Sequence, residues 1–200
     1  MLLRFMLVVL FGIHSYQSEK TIIFYGDSLT AGYGLAPEHA FPALVDELIS
    51  DKGLNYKVVN AGVSGETSSG GVTRIDWVLN QQVDIFVLEL GANDGLRGIP
   101  TEKTYDNLEK IIEKVHAKYP ACKIVIVGMM VPPNMGKEYA DNFSGIYPKL
   151  VKNFGSAFMP FLLTDVAGDP ELNLPDGIHP NVEGHKIVAK NVMKVLDPLL

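Results

Sequence analysis

Five short apolar runs, separated by stretches of helical spacing, constrain this chain more than any other feature. They fall at residues 21–26, 56–59, 85–90, 124–127 and 157–161. Their β-branched and aromatic content favours buried strands. Between the first two, Phe41, Leu44, Val45, Leu48 and Ile49 recur at helical spacing, and Gly53 closes the segment. Residues 102–118 carry Leu108, Ile111, Ile112 and Val115 on one face until Pro120 stops them. Residues 63–71 read as a glycine-rich loop leading into a helix that ends near Leu79, and residues 139–154 contain a further helical segment. A last helix is expected over 181–196, burying Ile187, Val188, Val192, Val195 and Leu196. Strands alternating with helices predict parallel pairing and right-handed crossovers. Parallel strands are covered on both faces, which is why these runs are continuous rather than alternating. With 47% apolar residues in 200, the chain has material for one core. The expectation is one α/β domain, residues 19–200, on a parallel sheet of about five strands.

The amino terminus differs in kind. Residues 1–13 (MLLRFMLVVLFGI) set one positive charge, Arg4, before an unbroken apolar run, and polar residues begin at His14. This reads as a secretory signal peptide, residues 1–18, and implies export to the periplasm or beyond. The run is shorter than the roughly 20 residues of a membrane-spanning helix, so no stable span is expected. A short uncleaved anchor is the alternative, because no small-x-small pair marks a cleavage site before Glu19.

Chemistry in an open parallel sheet collects where strands end. Here three runs end in Gly26-Asp27-Ser28, Asn60-Ala61-Gly62 and Gly91-Ala92-Asn93-Asp94. Each has a small residue that admits a ligand close to backbone. A serine at a strand-to-helix bend suits a nucleophile beside helix-start amides, and equally suits a helix cap. A fourth element is Asp176-Gly177-Ile178-His179. Of the five histidines, only His179 has an acid three residues before it in a turn, so that a carboxylate could hold Nδ1 and leave Nε2 free. A capping turn is the alternative for Asp176. His185, on the last helix, is expected to face solvent.

These residues, in this order and spacing, resemble the SGNH (GDSL-type) hydrolases over about residues 21–197. Gly26-Asp27-Ser28-Leu29 resembles their first block, Gly62 the second, Gly91-Ala92-Asn93-Asp94 the third and Asp176-Gly177-Ile178-His179 the last. Residues 91–98 (GANDGLRG), 131–136 (VPPNMG) and 144–150 (SGIYPKL) are similar to a bacterial exported branch that includes acyl-CoA thioesterases, lysophospholipases and arylesterases. Ala92 and Met135 depart from the residues common there, glycine and tyrosine. The resemblance implies a three-layer α/β/α sandwich of flavodoxin-like type and hydrolysis of esters or thioesters through an acyl-serine. It implies Ser28 as nucleophile, His179 as general base and then acid, and Asp176 as the group fixing the imidazole. The implied oxyanion donors are the amides of Ser28 and Gly62 and the side chain of Asn93. Leu96, Ile99, Val131, Pro132 and Pro133, just past strand ends, are candidates for an acyl trough.

Other classes are disfavoured. The net charge is −6 and the 17 Lys and Arg are scattered, which argues against a nucleic-acid surface. The single Cys122 allows neither an intrachain disulfide nor a cysteine metal cluster, and it is expected to be buried and unreactive. There is no HExxH, GxGxxG or P-loop, so no metal or cofactor is expected and a nucleotide-binding protein is set aside. The GxSxG elbow of α/β-hydrolases is absent as well. The expected partner is a small-molecule or lipid ester, with a monomer as the default. Two rivals remain: an acetylesterase of polysaccharides or small sugars, and a binding module with dead chemistry.

Overall fold

The computed structural model describes residues 19–200, apart from the side chain of Pro133. The segment read as a signal peptide lies outside the described residues. In chain order the elements are β1 (Lys20–Gly26), α1 (Ser28–Ala31), α2 (Phe41–Asp51), β2 (Tyr56–Gly62), α3 (Ser68–Val78), β3 (Ile85–Glu89), α4 (Ala92–Leu96), α5 (Thr101–Lys118), β4 (Lys123–Val127), α6 (Lys137–Ser144), α7 (Ile146–Phe154), β5 (Ala157–Met159) and α8 (Val182–Leu196). Among the described residues, no helix is long and apolar enough to cross a membrane.

The five strands form one sheet in the order β2-β1-β3-β4-β5, and every neighbouring pair is parallel. The chain steps from β1 to β2 on one side, then back past β1 to β3 and onward. Right-handed crossovers therefore put α2 on one face and α3, α5 and α7 on the other. The contacts agree: α8 packs on α2, while α5 packs on α3 and α7. The core lies on both sides of the sheet, with Ile22, Ile23, Phe24, Tyr25, Phe86 and Val87 buried in its middle strands.

Register positions the site. Gly26 pairs with Gly62 on one side and with Glu89 on the other, so β1, β2 and β3 end level. The loops that follow must emerge together where the strand order reverses, at the carboxyl edge between β1 and β3.

Three local expectations are corrected. Residues 63–71 are not all loop, because α3 already opens at Ser68. Thr67 caps it, and the Ser68 amide donates to the Asp94 carboxylate at 2.8 Å. Gly71 lies inside the helix because the sheet needs the space: a Cβ there would sit 2.6 Å from Leu90 Cδ2. The 139–154 segment is two helices, α6 and α7. Pro148 stands third in α7, where its ring cannot follow a continuous helix. The short α4 occupies what read as the tail of a strand ending.

Candidate active site

The site starts from a close approach. Gly26 ends β1 where an added Cβ would lie 2.2 Å from Thr30 Oγ1 and 2.3 Å from Glu89 Oε2. Only glycine lets the Glu89 carboxyl reach across to accept from Thr30 Oγ1 at 2.6 Å and the Asp27 amide at 3.3 Å. The chain then bends into α1. Its cap is Asp27, whose Oδ1 accepts the Leu29 N–H at 3.0 Å. Capping is thus carried by the neighbour, and the Ser28 hydroxyl, at the first helical position, is left for another partner.

That partner comes from 151 residues away: Ser28 Oγ lies 2.9 Å from His179 Nε2. The other ring nitrogen, Nδ1, lies 2.7 Å from Asp176 Oδ2. Asp176 Oδ1 accepts the amides of Ile178 and His179 at 2.9 and 3.0 Å. Those amide bonds, from His179 and then Ile178, together with the imidazole contact, hold the Asp176 carboxyl down at about 2. With this permanent acceptor on one side, a neutral imidazole carries its proton on Nδ1 and turns its lone pair toward the hydroxyl. The turn is pinned by the Leu174 amide donating to the His179 carbonyl at 2.7 Å, and by Asn181, which caps α8. The ring of Tyr33 packs on His179 with centroids 4.5 Å apart.

Beyond β3, Gly91 (φ 119°) turns the chain into α4. Asn93 Nδ2 donates to the Glu66 carbonyl at 3.0 Å and to Asp27 Oδ2 at 3.2 Å. These two acceptors take both N–H groups of the resting side-chain amide and fix it at the wall of the cleft. Asp27 and Glu89 are fully buried beneath it. Burial raises both carboxyls, Glu89 more strongly, and the Asp27 charge beside it raises Glu89 further.

A cleft of about 280 Å³ joins these groups, lined by Asp27, Ser28, Leu29, Tyr33, Ser64, Gly65, Ala92, Asn93, Leu96, Ile178 and His179. Ser28, Asn93, His179 and Leu96 all line it, and Asp176 stands directly behind His179. Gly62 is not among them. Its amide donates to Asn60 Oδ1 at 3.0 Å, and its Cα is pressed against the backbone of Thr30 and Ala31. The glycine that faces the cleft is Gly65, three residues on, in a left-handed turn (φ 79°). Its amide has no partner among the described residues. Ile99, Val131 and Pro132 do not line the cleft, and Val131 instead packs against Gly95 beside Phe143. The apolar wall comes from Leu29, Tyr33, Ala92, Leu96 and Ile178. Tyr33 and Ile178 were legible only as neighbours of the serine and histidine blocks.

His185 is also corrected. It is buried, and its Nδ1 accepts the Phe41 amide at 3.0 Å, tying α8 to α2. The signal was present: positions 185, 188, 189, 192 and 196 share one helical face. Burial first, and His179 second, lower its pKa from 6.5 to about 4. The unfolded chain therefore binds an extra proton between these values, so this group's contribution to stability is full above pH 6.5 and fades as pH falls toward 4. Asp27, raised by burial, acts with the opposite sign, but it is common to both proteins in a comparison with His185→Gln. The stability advantage of the natural protein over that variant should shrink by about 3 kcal/mol between pH 7 and pH 4. Urea unfolding at both values measures it, and an advantage independent of pH would remove the assignment. Cys122 is buried, and desolvation pushes its thiol up to about 12, so it is unreactive.

Comparison with known proteins follows the same lines. The model of the GDSL-like Lipase/Acylhydrolase family matches residues 24–187. An arylesterase of Vibrio mimicus is 39% identical over 183 residues, covering 91% of this chain and 90% of its own. Thioesterase 1/protease 1/lysophospholipase L1 of Escherichia coli is 37% identical over 199 residues, 99% of this chain and 93% of its own. Among solved structures, the crystal structure of TesA superposes with a TM-score of 0.86 at 36% identity, covering 90% of this chain and 100% of that one.

Proposed function

This chain belongs to the GDSL-like lipase/acylhydrolase family and is a hydrolase of carboxylic esters and thioesters, and we propose that Ser28, His179 and Asp176 carry the reaction. The observation that supports this most is the unbroken run of contacts, Oγ to Nε2 at 2.9 Å and Nδ1 to Oδ2 at 2.7 Å. As the Ser28 oxygen attacks the substrate carbonyl, His179 Nε2 takes the hydroxyl proton. Asp176 fixes the tautomer and stabilises the imidazolium that forms. Charge gathers on the carbonyl oxygen, where the amides of Ser28 and Gly65 donate to it, and Asn93 Nδ2 exchanges its longer bond, the 3.2 Å one to Asp27 Oδ2, for the oxyanion. Gly65 takes the role that the resemblance implied for Gly62. The imidazolium then returns its proton to the leaving alcohol or thiol, an acyl-serine remains, and water activated by His179 releases the acid.

The substrate class follows from the wall of the cleft. Leu29, Tyr33, Ala92, Leu96 and Ile178 favour an acyl chain over a sugar, so aryl esters, acyl thioesters and lysophospholipids are the substrates we infer. The names of the relatives support the same range. A panel of p-nitrophenyl esters, acyl-CoAs, lysophospholipids and acetylated sugars tests it. Medium acyl chains should exceed acetyl in kcat/KM, and a sharp preference for acetylated sugars would overturn the acyl reading. We also propose that residues 1–18 direct export to the periplasm and that residues 19–200 are the mature domain, on the strength of the charged and apolar pattern of residues 1–13. Amino-terminal sequencing of the exported protein locates the cut, and an intact leader would favour the anchor instead.

A further inference from the structure

We propose that Arg74 is a positioning residue for the oxyanion side of this cleft, holding at once the ends of β1 and β2 and the loop that carries Gly65. The inference rests on the assignment of Asn93 and Gly65 as oxyanion donors. Arg74 sits on α3, about one and a half turns past its start, and none of its hydrogen bonds goes to a cleft-lining side chain. Its Nε donates to both oxygens of Glu66, at 2.6 and 2.8 Å, and its Nη2 reaches the same carboxylate. That Nη2 also donates to the Ala61 carbonyl at 2.8 Å and the Gly26 carbonyl at 3.3 Å. The guanidinium lies 4.0 Å above the Tyr25 ring, whose hydroxyl donates to Gly71 O at 2.6 Å inside the same helix. The side chains of Arg74 and Glu66 are only 20% and 7% exposed, so solvent screens the pair little.

What is held matters more than the pair itself. Gly26 precedes Asp27 and Ser28. Glu66 follows Gly65, and its own carbonyl is the acceptor that aims Asn93 Nδ2. One guanidinium thus ties the serine loop to the peptide that orients one donor and adjoins another. The loop needs an external tie, because Gly65 sits at positive φ with no side chain of its own. From the opposite side Asp94 holds Ser68 through its amide at 2.8 Å and its hydroxyl at 2.5 Å. Arg97 Nη2 donates to the Gly65 carbonyl at 3.1 Å. Arg74 is the member of this set that reaches all the way to β1. A planar fork with five donors suits one carboxylate and two carbonyls, and a lysine ammonium cannot reproduce that geometry.

The test is a set of kinetic cycles with one p-nitrophenyl ester. Replacing the pair together, Arg74→Met with Glu66→Gln, leaves no buried charge unpaired. It should lower kcat about a hundredfold, the scale of an ångström-sized displacement at a reacting centre, with KM little changed. Arg74→Lys, which keeps the charge, should lower kcat by about tenfold. In an Asn93→Ala background the pair replacement should cost about tenfold or less, because part of its effect runs through Asn93. A purely structural role would instead lower the melting temperature and multiply through both backgrounds equally, and that result overturns the proposal. If the pair variant does not fold, Arg74→Lys carries the same cycle, and a kcat equal to that of the natural protein overturns it too. Activity retained by Ser28→Ala would strike at the catalytic reading. Full activity in the Arg74 variants with Ser28→Ala inactive would strike at this inference alone.

Discussion

Ser28→Ala should lower kcat for a p-nitrophenyl ester by about a millionfold, because members of a serine–histidine–carboxylate set act as a unit. The variant should stay folded. The Ser28 hydroxyl is not the cap of α1, since Asp27 accepts the Leu29 amide, and its described side-chain bond is the one to His179. Melting temperature should therefore move little while turnover collapses. His179→Ala should fall to a similar floor, and the double variant should fall no further, which separates a shared proton path from two independent contributions. A fluorophosphonate should label the natural protein at Ser28 and leave Ser28→Ala unlabelled. Labelling that persists in the variant, or turnover within tenfold of natural, would mean that another nucleophile does the work.

Asn93→Ala should slow turnover by roughly a hundredfold or more, since one oxyanion donor is typically worth about 3–4 kcal/mol in the transition state. The loss should fall on kcat rather than KM, because the donor meets charge that the ground-state carbonyl does not yet carry. Its stability cost should be modest. The variant frees the Glu66 carbonyl and Asp27 Oδ2, each left with one bond fewer. Asn93→Asp is a sharper control: it keeps the shape, removes the donor and sets a third carboxyl beside Asp27 and Glu89. It should be slower than the alanine variant. Equal activity in Asn93→Ala and the natural protein would move the third donor elsewhere in the cleft.

Much of the fold was legible because strand and helix periods are local properties. β1, β3 and β4 are continuous apolar runs for a reason acting on each residue, burial from both faces. The long α5 declares itself by one stripe and a terminating proline. Misreadings came where a local signal met a distant partner. Gly71 looks like loop until the Leu90, Ile111 and Tyr25 side chains it presses against are known. The helical segment expected within residues 139–154 divides into two helices once Pro148 is weighed. His185 looks like a polar surface residue until α2 offers it the Phe41 amide. The acyl wall failed for a similar reason. Ile99, Val131 and Pro132 are close to strand ends along the chain, whereas Ile178 is close to the serine only in space and Tyr33 is folded back beside it, its amide donating to the Ser28 carbonyl at 3.0 Å.

By itself, then, the order of residues determined an α/β chain with parallel strands and a serine, an asparagine, an acid and a histidine at strand ends and one late turn. Chain chemistry suffices for that, because hydrophobic period and turn composition act over a few neighbours. The tertiary structure alone decided which glycine lines the cleft, which side chains wall it, and that Arg74 binds two strand ends to one loop. Those outcomes depend on register and on loops meeting across the sheet edge, where a shift of three residues, from Gly62 to Gly65, exchanges a spent amide for a free one.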